Sequence, residues 1–515
     1  MTAKTKVVIV GAGPTGLSMA AQLLRYHIDF VIIEKNEKIT SLSKALVVQA
    51  RTLEIFDELG IASEAVNEGQ ITTGLNFFYK GRQKAAIDIS GLGEGISPFP
   101  FALSLEQCKT EKLLVDFLSL NKVDVQWNSA FTGFEQSENV VTVYYTDHAG
   151  QEQQVEAEYL VGCEGAGSLI RHQLGLSFEG DTAPKIFYVA DVKIKSPVIN
   201  KSQLFMFMIQ KGFVLFFPME GKGHFRVVGI LPEGTTVPED IKFPDIEPSI
   251  KKNIIVPIDF EEVKWFSSYK VHSRKAGSFQ KGRCFIAGDA AHIHTPAGGQ
   301  GMNTGIQDAY NLAWKIAFQI NGSISPDMLR SYSIERGENA KHLLKTTDRM
   351  FDIMSGKNSF WNFMRLHFFV RIIGLVTRSA AVKKRLFPLI SQTGISYHNS
   401  PMIIDSSIGK VRAGVRMPHF VFADGTPILE YLREPAFKIL FFGSDTKNDS
   451  SWINDLKLKI VAKAFKEVPG ALFGDHENFY ILLRPDNHIA YMGKNISVCR
   501  DFLLKLSPAE RSKYQ

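Results

Sequence analysis

The chain has 515 residues, 45% hydrophobic and 22% charged, an ordinary globular composition with core enough for about three domains. Its net charge of +6 is small for this length and its lysines are scattered, which argues against a nucleic-acid-binding protein. The four cysteines, Cys108, Cys163, Cys284 and Cys499, form no Cys-x-x-Cys pair, and no run reaches the length of a transmembrane span, so the expected setting is a reducing cytoplasm.

The first predicted element is a strand over the apolar run Val7-Val8-Ile9-Val10. Gly11-Ala12-Gly13-Pro14-Thr15-Gly16 follows it, and then a helical pattern at Leu17, Ala20, Ala21 and Leu24. Lys4 and Lys6 ahead of this stretch imitate a signal peptide, but the glycine-proline interruption reads as a strand, a turn and a helix. Gly11 permits the turn, Gly13 lets the backbone approach a pyrophosphate, and Gly16 lets helix and strand pack. Pro14 and Thr15 open a helix whose free N–H groups suit an anion. A second apolar strand, Phe30 to Ile33, ends in Glu34 and Lys35, with the Glu34 carboxylate where a ribose diol is gripped. The chain is expected to bind a dinucleotide.

A second nucleotide contact lies nearly three hundred residues on. A buried strand ends in Gly288-Asp289-Ala290-Ala291-His292, and the turn Gly298-Gly299-Gln300-Gly301-Met302-Asn303 then opens a helix with apolar residues at Ile306, Tyr310, Ala313, Ala317 and Ile320. His292 and His294 form a His-x-His pair with no further ligands nearby, so no metal is expected, and His292 reads as a hydrogen-bonding residue of the turn. Between the two contacts, strand-like runs at Leu204 to Ile209, Val214 to Phe217 and Phe225 to Ile230 predict an inserted antiparallel sheet. At period two its first strand presents either Leu204, Met206 and Met208 or Phe205, Phe207 and Ile209, and the sequence does not choose between them. The aromatic stretch Phe360 to Val376 is interrupted by Arg365, His367 and Arg371 and reads as a packed helix.

Together these motifs resemble the FAD-dependent aromatic hydroxylases, the single-component flavoprotein monooxygenases that include para-hydroxybenzoate hydroxylase and phenol hydroxylase. The resemblance implies an α/β fold: a Rossmann-like FAD-binding domain, an inserted antiparallel-sheet substrate domain, and a thioredoxin-like C-terminal domain. It implies that Asp289 meets the ribityl hydroxyls of FAD. Gly299, Gln300, Gly301, Met302 and Asn303 then face the flavin's pyrimidine edge, where helix N–H groups stabilise negative charge. Arg51, in Arg51-Thr52-Leu53-Glu54, resembles the family's arginine turn beside the flavin. Gln107, with Thr110 and Glu111, resembles its Gln-x-x-Thr-Glu cofactor contact. Glu164, in Gly162-Cys163-Glu164-Gly165-Ala166 with Ser168 and Arg171 beyond, stands where the family has aspartate, in a stretch implicated in FAD and nicotinamide binding.

The implied domains are an FAD-binding first part over 1–180, with strands near 71–105 belonging to the substrate domain, and a substrate sheet over 181–280. The FAD domain's second part and a helical segment cover 281–395, and the thioredoxin-like domain covers 400–515. The linker around Ser391-Gln392-Thr393-Gly394, the stretch Arg412 to Pro418 and Leu483-Arg484-Pro485-Asp486 carry the likeness to the phenol hydroxylase branch. Without Cys-x-x-Cys that last domain is expected to be structural, in a monomer or homodimer.

The implied reaction is reduction of FAD by NADPH or NADH, capture of O2 as a flavin C4a-hydroperoxide, and oxygen transfer to an electron-rich aromatic carbon, with backbone around Pro296 lining the reaction zone. Arg51 and Pro296 are the flavin-positioning candidates, and no residue is assigned as a catalytic base. Met206, Met208, Phe213, Leu215 and Phe217, with Arg226 as the nearest cation, favour a bulky phenolic or polyketide-like aromatic, an antibiotic included, over a small carboxylate. Simple phenol hydroxylation, Baeyer-Villiger oxygenation and a non-enzymatic flavin sensor are the alternatives. A flavin-dependent halogenase would carry Trp-x-Trp-x-Ile-Pro, and no two tryptophans here stand two apart.

Overall fold

The computed structural model describes residues 3–40, 45–200, 203–210, 212–231, 241–295, 298–355, 379–444, 452–453 and 456–507. Pro296 and the Phe360 to Val376 stretch lie outside them.

The first strand, β1 (Val7–Val10), is buried at every position, as an apolar run without alternation requires. It leads into α1 (Pro14–Arg25), whose first residue is proline, and then into β2 (Phe30–Ile33). Helix α2 (Ala50–Leu59) stops at Gly60, which takes the left-handed conformation at φ +78°. A hairpin of β3 (Gly74–Tyr79) and β4 (Arg82–Asp88) follows, then α3 (Gln107–Leu120) and β5 (Tyr159–Gly162). Two strands of eighteen residues, β6 (Phe178–Lys195) and β10 (Asp259–Ala276), enclose β7 (Gln203–Ile209), β8 (Gly212–Pro218), β9 (His224–Ile230) and α4 (Phe243–Ile254). The chain then returns through β11 (Cys284–Ile286) to α5 (Gly301–Ile320) and α6 (Arg330–Ser355).

Strand β5 runs parallel to both β1 and β11, placing Leu160 opposite Val8 on one side and Cys284 on the other. The two sequence-distant nucleotide motifs therefore leave the same end of one sheet, with β5 between their strands, in the order Gln280–Lys281, β11, β5, β1, β2. A separate eight-stranded sheet runs His292–Ile293, β10, β6, β9, β8, β7, β3, β4. It is mixed rather than antiparallel throughout, because β7 pairs parallel with β3. Of the 71–105 region, β3 and β4 join this sheet, whereas Ala102–Ser104 pairs with Val47–Val48 and Gln70–Thr72.

The C-terminal unit contains β12 (Phe437–Phe442), β13 (Ile460–Phe465), β14 (Phe479–Leu483), β15 (Ile489–Gly493) and α7 (Ile496–Leu506). Its order is β13, β12, β14, β15, with the first pair parallel and the rest antiparallel, as in a thioredoxin-like sheet. It shares its core with the rest: Phe437 packs edge-on against Trp314 and Phe318 of α5 at 5.8 and 5.4 Å. Among the described residues no helix is long and apolar enough to cross a membrane.

Candidate active site

The glycines of the first turn have three different jobs. Gly11 sits at φ +101°, and a Cβ there would lie 2.5 Å from the Cys163 carbonyl oxygen. A Cβ on Gly16 would overlap the Gly11 carbonyl at 1.8 Å, so strand and helix touch backbone to backbone. A Cβ on Gly13 meets nothing within 4 Å: here glycine leaves an open groove. The N-terminus of α1 beside it carries no side-chain cap, so its N–H groups are available to an anion. Glu34, at the end of β2, accepts hydrogen bonds from the backbone N–H groups of Ala12 (2.8 Å) and Asn36 (3.0 Å), and Lys35 beside it is exposed. Thr15 joins the two halves of the cleft, its Oγ1 lying 2.4 Å from a Cβ on Gly288 and 2.3 Å from one on Gly305. Asp289 is exposed between buried Gly288 and Ala290. An open groove, an uncapped helix end and two carboxylates at its margins fit the pyrophosphate and hydroxyls of FAD.

The second helix end is built differently. Gly298 and Gly299 take φ +84° and +62°, and the N-cap Gln300 makes no side-chain cap. Gly301 and Met302 are half-buried at the opening. Asn303 is fully buried and its amide is spent inside the protein. Its Oδ1 accepts from Gln49 N and Thr52 Oγ1, both at 2.8 Å, and its Nδ2 donates to the carbonyls of Val47 (2.8 Å) and Gly299 (2.9 Å). The Asn303 side chain therefore clamps α5 to α2 rather than reaching a cofactor. Gln49 lay outside every motif read from the sequence, and Thr52 was read only as part of the arginine turn, since a buried glutamine or threonine carries no sequence signal of its partner.

Beneath the Gly288 turn lies a buried charged relay. Asp308 of α5 accepts from Gly288 N (3.0 Å) and His292 Nε2 (2.7 Å) on one oxygen and from Arg336 Nε (2.5 Å) on the other. Burial opposes its ionisation, but Arg336 and His292 hold its carboxyl below the usual range. Arg336 continues to Tyr397 Oη at 3.0 Å. His292 thus has a structural partner. His294 binds the Thr295 carbonyl through Nδ1 at 2.7 Å, and burial pushes its pKa down to about 4. No metal-holding cluster occurs among the described residues.

Gln107 and Glu111 brace the stretch before α2: Gln107 Oε1 accepts from Ala45 N at 3.1 Å and its Nε2 donates to Glu111 at 2.9 Å, while Glu111 also accepts from Thr40 N at 3.2 Å. Glu164 turns inward and caps the helix Leu169–Gln173, accepting from Ser168 Oγ (2.5 Å) and from the N–H groups of Leu169 (3.1 Å) and Ile170 (3.3 Å). Burial raises its pKa, against those hydrogen bonds.

Two of the candidate cations are paired within the protein, and Arg51 is one of them. Its guanidinium donates to Glu54 (3.0 Å) and to the Asp486 carbonyl (3.1 Å) and lies 5.3 Å over the Tyr310 ring, because α2 abuts the C-terminal unit there. Arg226 is likewise committed: Nε and Nη2 reach the two Asp191 oxygens at 2.6 Å each, and Nη1 reaches the Ala45 carbonyl at 3.2 Å.

Helix α4 tells the two faces of β7 apart. Phe205, Phe207, Val214, Phe216, Phe225 and Val227 pack against Phe243, Ile246, Ile250 and Ile254 of that helix, forming a closed hydrophobic layer. Leu204, Met206 and Met208, with Phe213, Leu215 and Phe217 across the register, occupy the opposite face. That face is the one Arg226 shares, and its bond to Ala45 ties it to the nucleotide-binding body.

Residues 4–347 match the family model described as "FAD binding domain". The chain is 30% identical over 454 residues to 6-methylpretetramide 4-monooxygenase of Streptomyces rimosus, covering 85% of this chain and 80% of that protein. It is 30% identical over 508 residues to the uncharacterized aromatic compound monooxygenase YhjG of Bacillus subtilis (strain 168), covering 95% of each. The solved structure of the OxyS anhydrotetracycline hydroxylase from Streptomyces rimosus superposes with a TM-score of 0.79 at 27% identity, over 98% of this chain and 99% of that one. With an open dinucleotide groove and two uncapped helix ends at the same end of one sheet, the chain belongs to the FAD-binding flavoprotein monooxygenases of the aromatic hydroxylase type.

Proposed function

We propose that this enzyme hydroxylates a bulky phenolic or polycyclic aromatic of polyketide or antibiotic type, with NADPH as the electron donor. The observation that carries this reading is the character of the sheet face turned to the nucleotide-binding body. Met206, Met208, Phe213, Leu215 and Phe217 offer flexible and aromatic apolar walls, and Arg226 on the same face is neutralised by Asp191. A small benzoate would need an uncommitted arginine to pair with its carboxylate; a large apolar ring system needs area. The similarity to a 6-methylpretetramide monooxygenase and an anhydrotetracycline hydroxylase supports the same substrate class.

Bound FAD, once reduced, supplies the activation of dioxygen. The chain's own part is to seat the aromatic ring against the methionine and phenylalanine walls, exclude water from that chamber, and aim the N–H groups of the α5 terminus at the cofactor. Gly11, Gly13, Pro14, Thr15, Gly16, Glu34 and Asp289 hold the dinucleotide in this reading. The choice of NADPH over NADH rests on the family resemblance.

The test is a panel of simple phenols, hydroxybenzoates and polycyclic phenols, scored for NADPH consumption and for a product heavier by one oxygen atom. Oxygenated product from polycyclic phenols is the expected result. Product from hydroxybenzoates alone overturns the substrate class, and flavin that neither NADPH nor NADH reduces in stopped flow overturns the donor assignment.

A further inference from the structure

We propose that Gln392, in the linker between the FAD-binding body and the C-terminal unit, is a positioning residue for bound FAD, acting through the first turn of α5. The inference rests on the reading that the α5 N-terminus faces the cofactor.

Gln392 is a buried, non-glycine residue at φ +59°, a backbone conformation that side chains with a Cβ rarely adopt. Glycine would relieve it. Yet the linker spends its nearby glycine at 394, where a Cβ would press on Pro388 at 3.0 Å, and keeps glutamine at the strained position. Such strain persists when surrounding contacts over-determine it, and here the side chain supplies them. Its Nε2 donates to Thr304 Oγ1 at 2.9 Å, with a longer approach of 3.5 Å to the Gln300 carbonyl, and its Oε1 accepts from Gln307 Nε2 at 2.6 Å. Thr304 Oγ1 in turn donates to the Gln300 carbonyl at 2.9 Å. One side chain therefore grips the N-cap residue, the first turn and the second turn of α5.

The backbone of the same segment holds the neighbouring helix. Ser391 O accepts from Arg51 N at 3.2 Å, within the first turn of α2, which Asn303 already fastens to α5. Residues 391 and 392 thus close a three-way junction of α2, α5 and linker directly behind the α5 terminus. Ser391, Gln392 and Gln307 lie outside the nucleotide motifs. Their arrangement fixes where the free N–H groups of that terminus point, and such groups favour an anionic reduced cofactor only while they are aimed at it.

The experiment compares Gln392→Gly, Gln392→Met, Thr304→Val and the double variant Gln392→Gly/Thr304→Val in the full-length protein. Gln392→Gly relieves the backbone while removing the side chain, so it keeps the test decisive if Gln392→Met fails to fold. Apoprotein is titrated with FAD by fluorescence quenching, and the midpoint potential of the bound flavin is measured. The expected result is an FAD Kd raised about tenfold in Gln392→Gly, the worth of one well-formed hydrogen bond, with a more negative potential. Thr304→Val should behave alike, and the double variant should be no worse than either single one. Wild-type Kd and potential in Gln392→Gly, or additive effects in the double variant, overturn the proposal. Asp289→Ala serves as the separate arm. If it loses FAD while Gln392→Gly does not, the positioning role fails and the cofactor site stands. If Asp289→Ala also retains FAD fully, the site reading itself fails.

Discussion

Arg226 and Asp191 face one another across adjacent strands and lock as a bidentate pair, both contacts at 2.6 Å, on the face that looks toward the nucleotide-binding body. Their mutual neutralisation, rather than any shortage of arginine, leaves this sheet face apolar in character. Arg226→Met leaves the half-buried Asp191 carboxylate without its cation, so it should lower stability by about 3 kcal/mol. The double variant with Asp191→Asn should recover part of that loss. Urea denaturation of the three variants measures both, and a single variant as stable as the wild type contradicts the pairing.

The glycine turn separates folding from binding. Gly13→Ala should yield a stable protein with weakened FAD retention, because its methyl group enters open groove and touches nothing of the protein. Gly16→Ala should fail to fold, since its Cβ would overlap the Gly11 carbonyl. Soluble yield, thermal midpoint and flavin content after gel filtration distinguish them; equal behaviour of the two variants would contradict the different roles.

Both cleft carboxylates are predicted to be needed for FAD retention. Asp289→Ala should reduce FAD affinity by a charged hydrogen bond, about 1.5 to 3 kcal/mol. Glu34→Ala should lower FAD affinity and apoprotein stability together, because Glu34 also holds the backbone N–H groups of Ala12 and Asn36. Apoprotein melting curves beside FAD titrations check both effects.

A pH signature follows from the docking of the C-terminal unit. Arg484 binds Glu335 through Nη1 at 2.6 Å and Nη2 at 2.9 Å, and Lys315 reaches the same carboxylate at 2.7 Å. Burial works against ionisation, but these cations hold the Glu335 pKa at about 2, below its ordinary 4.5. A depressed carboxyl pKa contributes stability that is full above the unfolded value and lost as pH falls through the folded one. The stability gap between wild type and Glu335→Gln should therefore be constant above about pH 4.5 and shrink as the pH falls toward 2. Urea midpoints across that range test it, and a gap independent of pH would refute it.

The nucleotide cleft was legible because its constraints are local. A buried strand, a turn that only glycine can make and a helix start follow one another within ten residues, and Gly288-Asp289 repeats the arrangement before α5. The three central strands of the inserted sheet were legible for the same reason, as short apolar runs broken by a glycine turn. The two eighteen-residue strands that flank them were not read, since β10 mixes charged and apolar residues without clean alternation.

By itself the sequence determined the cofactor class and the family's architecture, both of which rest on contiguous residues and backbone geometry. Only the tertiary structure decided what the polar side chains do. Arg51 meets Asp486 across 435 residues, and Gln392 meets Thr304 across 88. The physical reason is that a hydrogen bond or ion pair is defined by its partner, and the partner is set by how distant elements dock. The two faces of β7 were told apart in the same way: period two offers two equivalent faces, and it is the packing of α4 on the phenylalanine side that leaves Met206 and Met208 on the other.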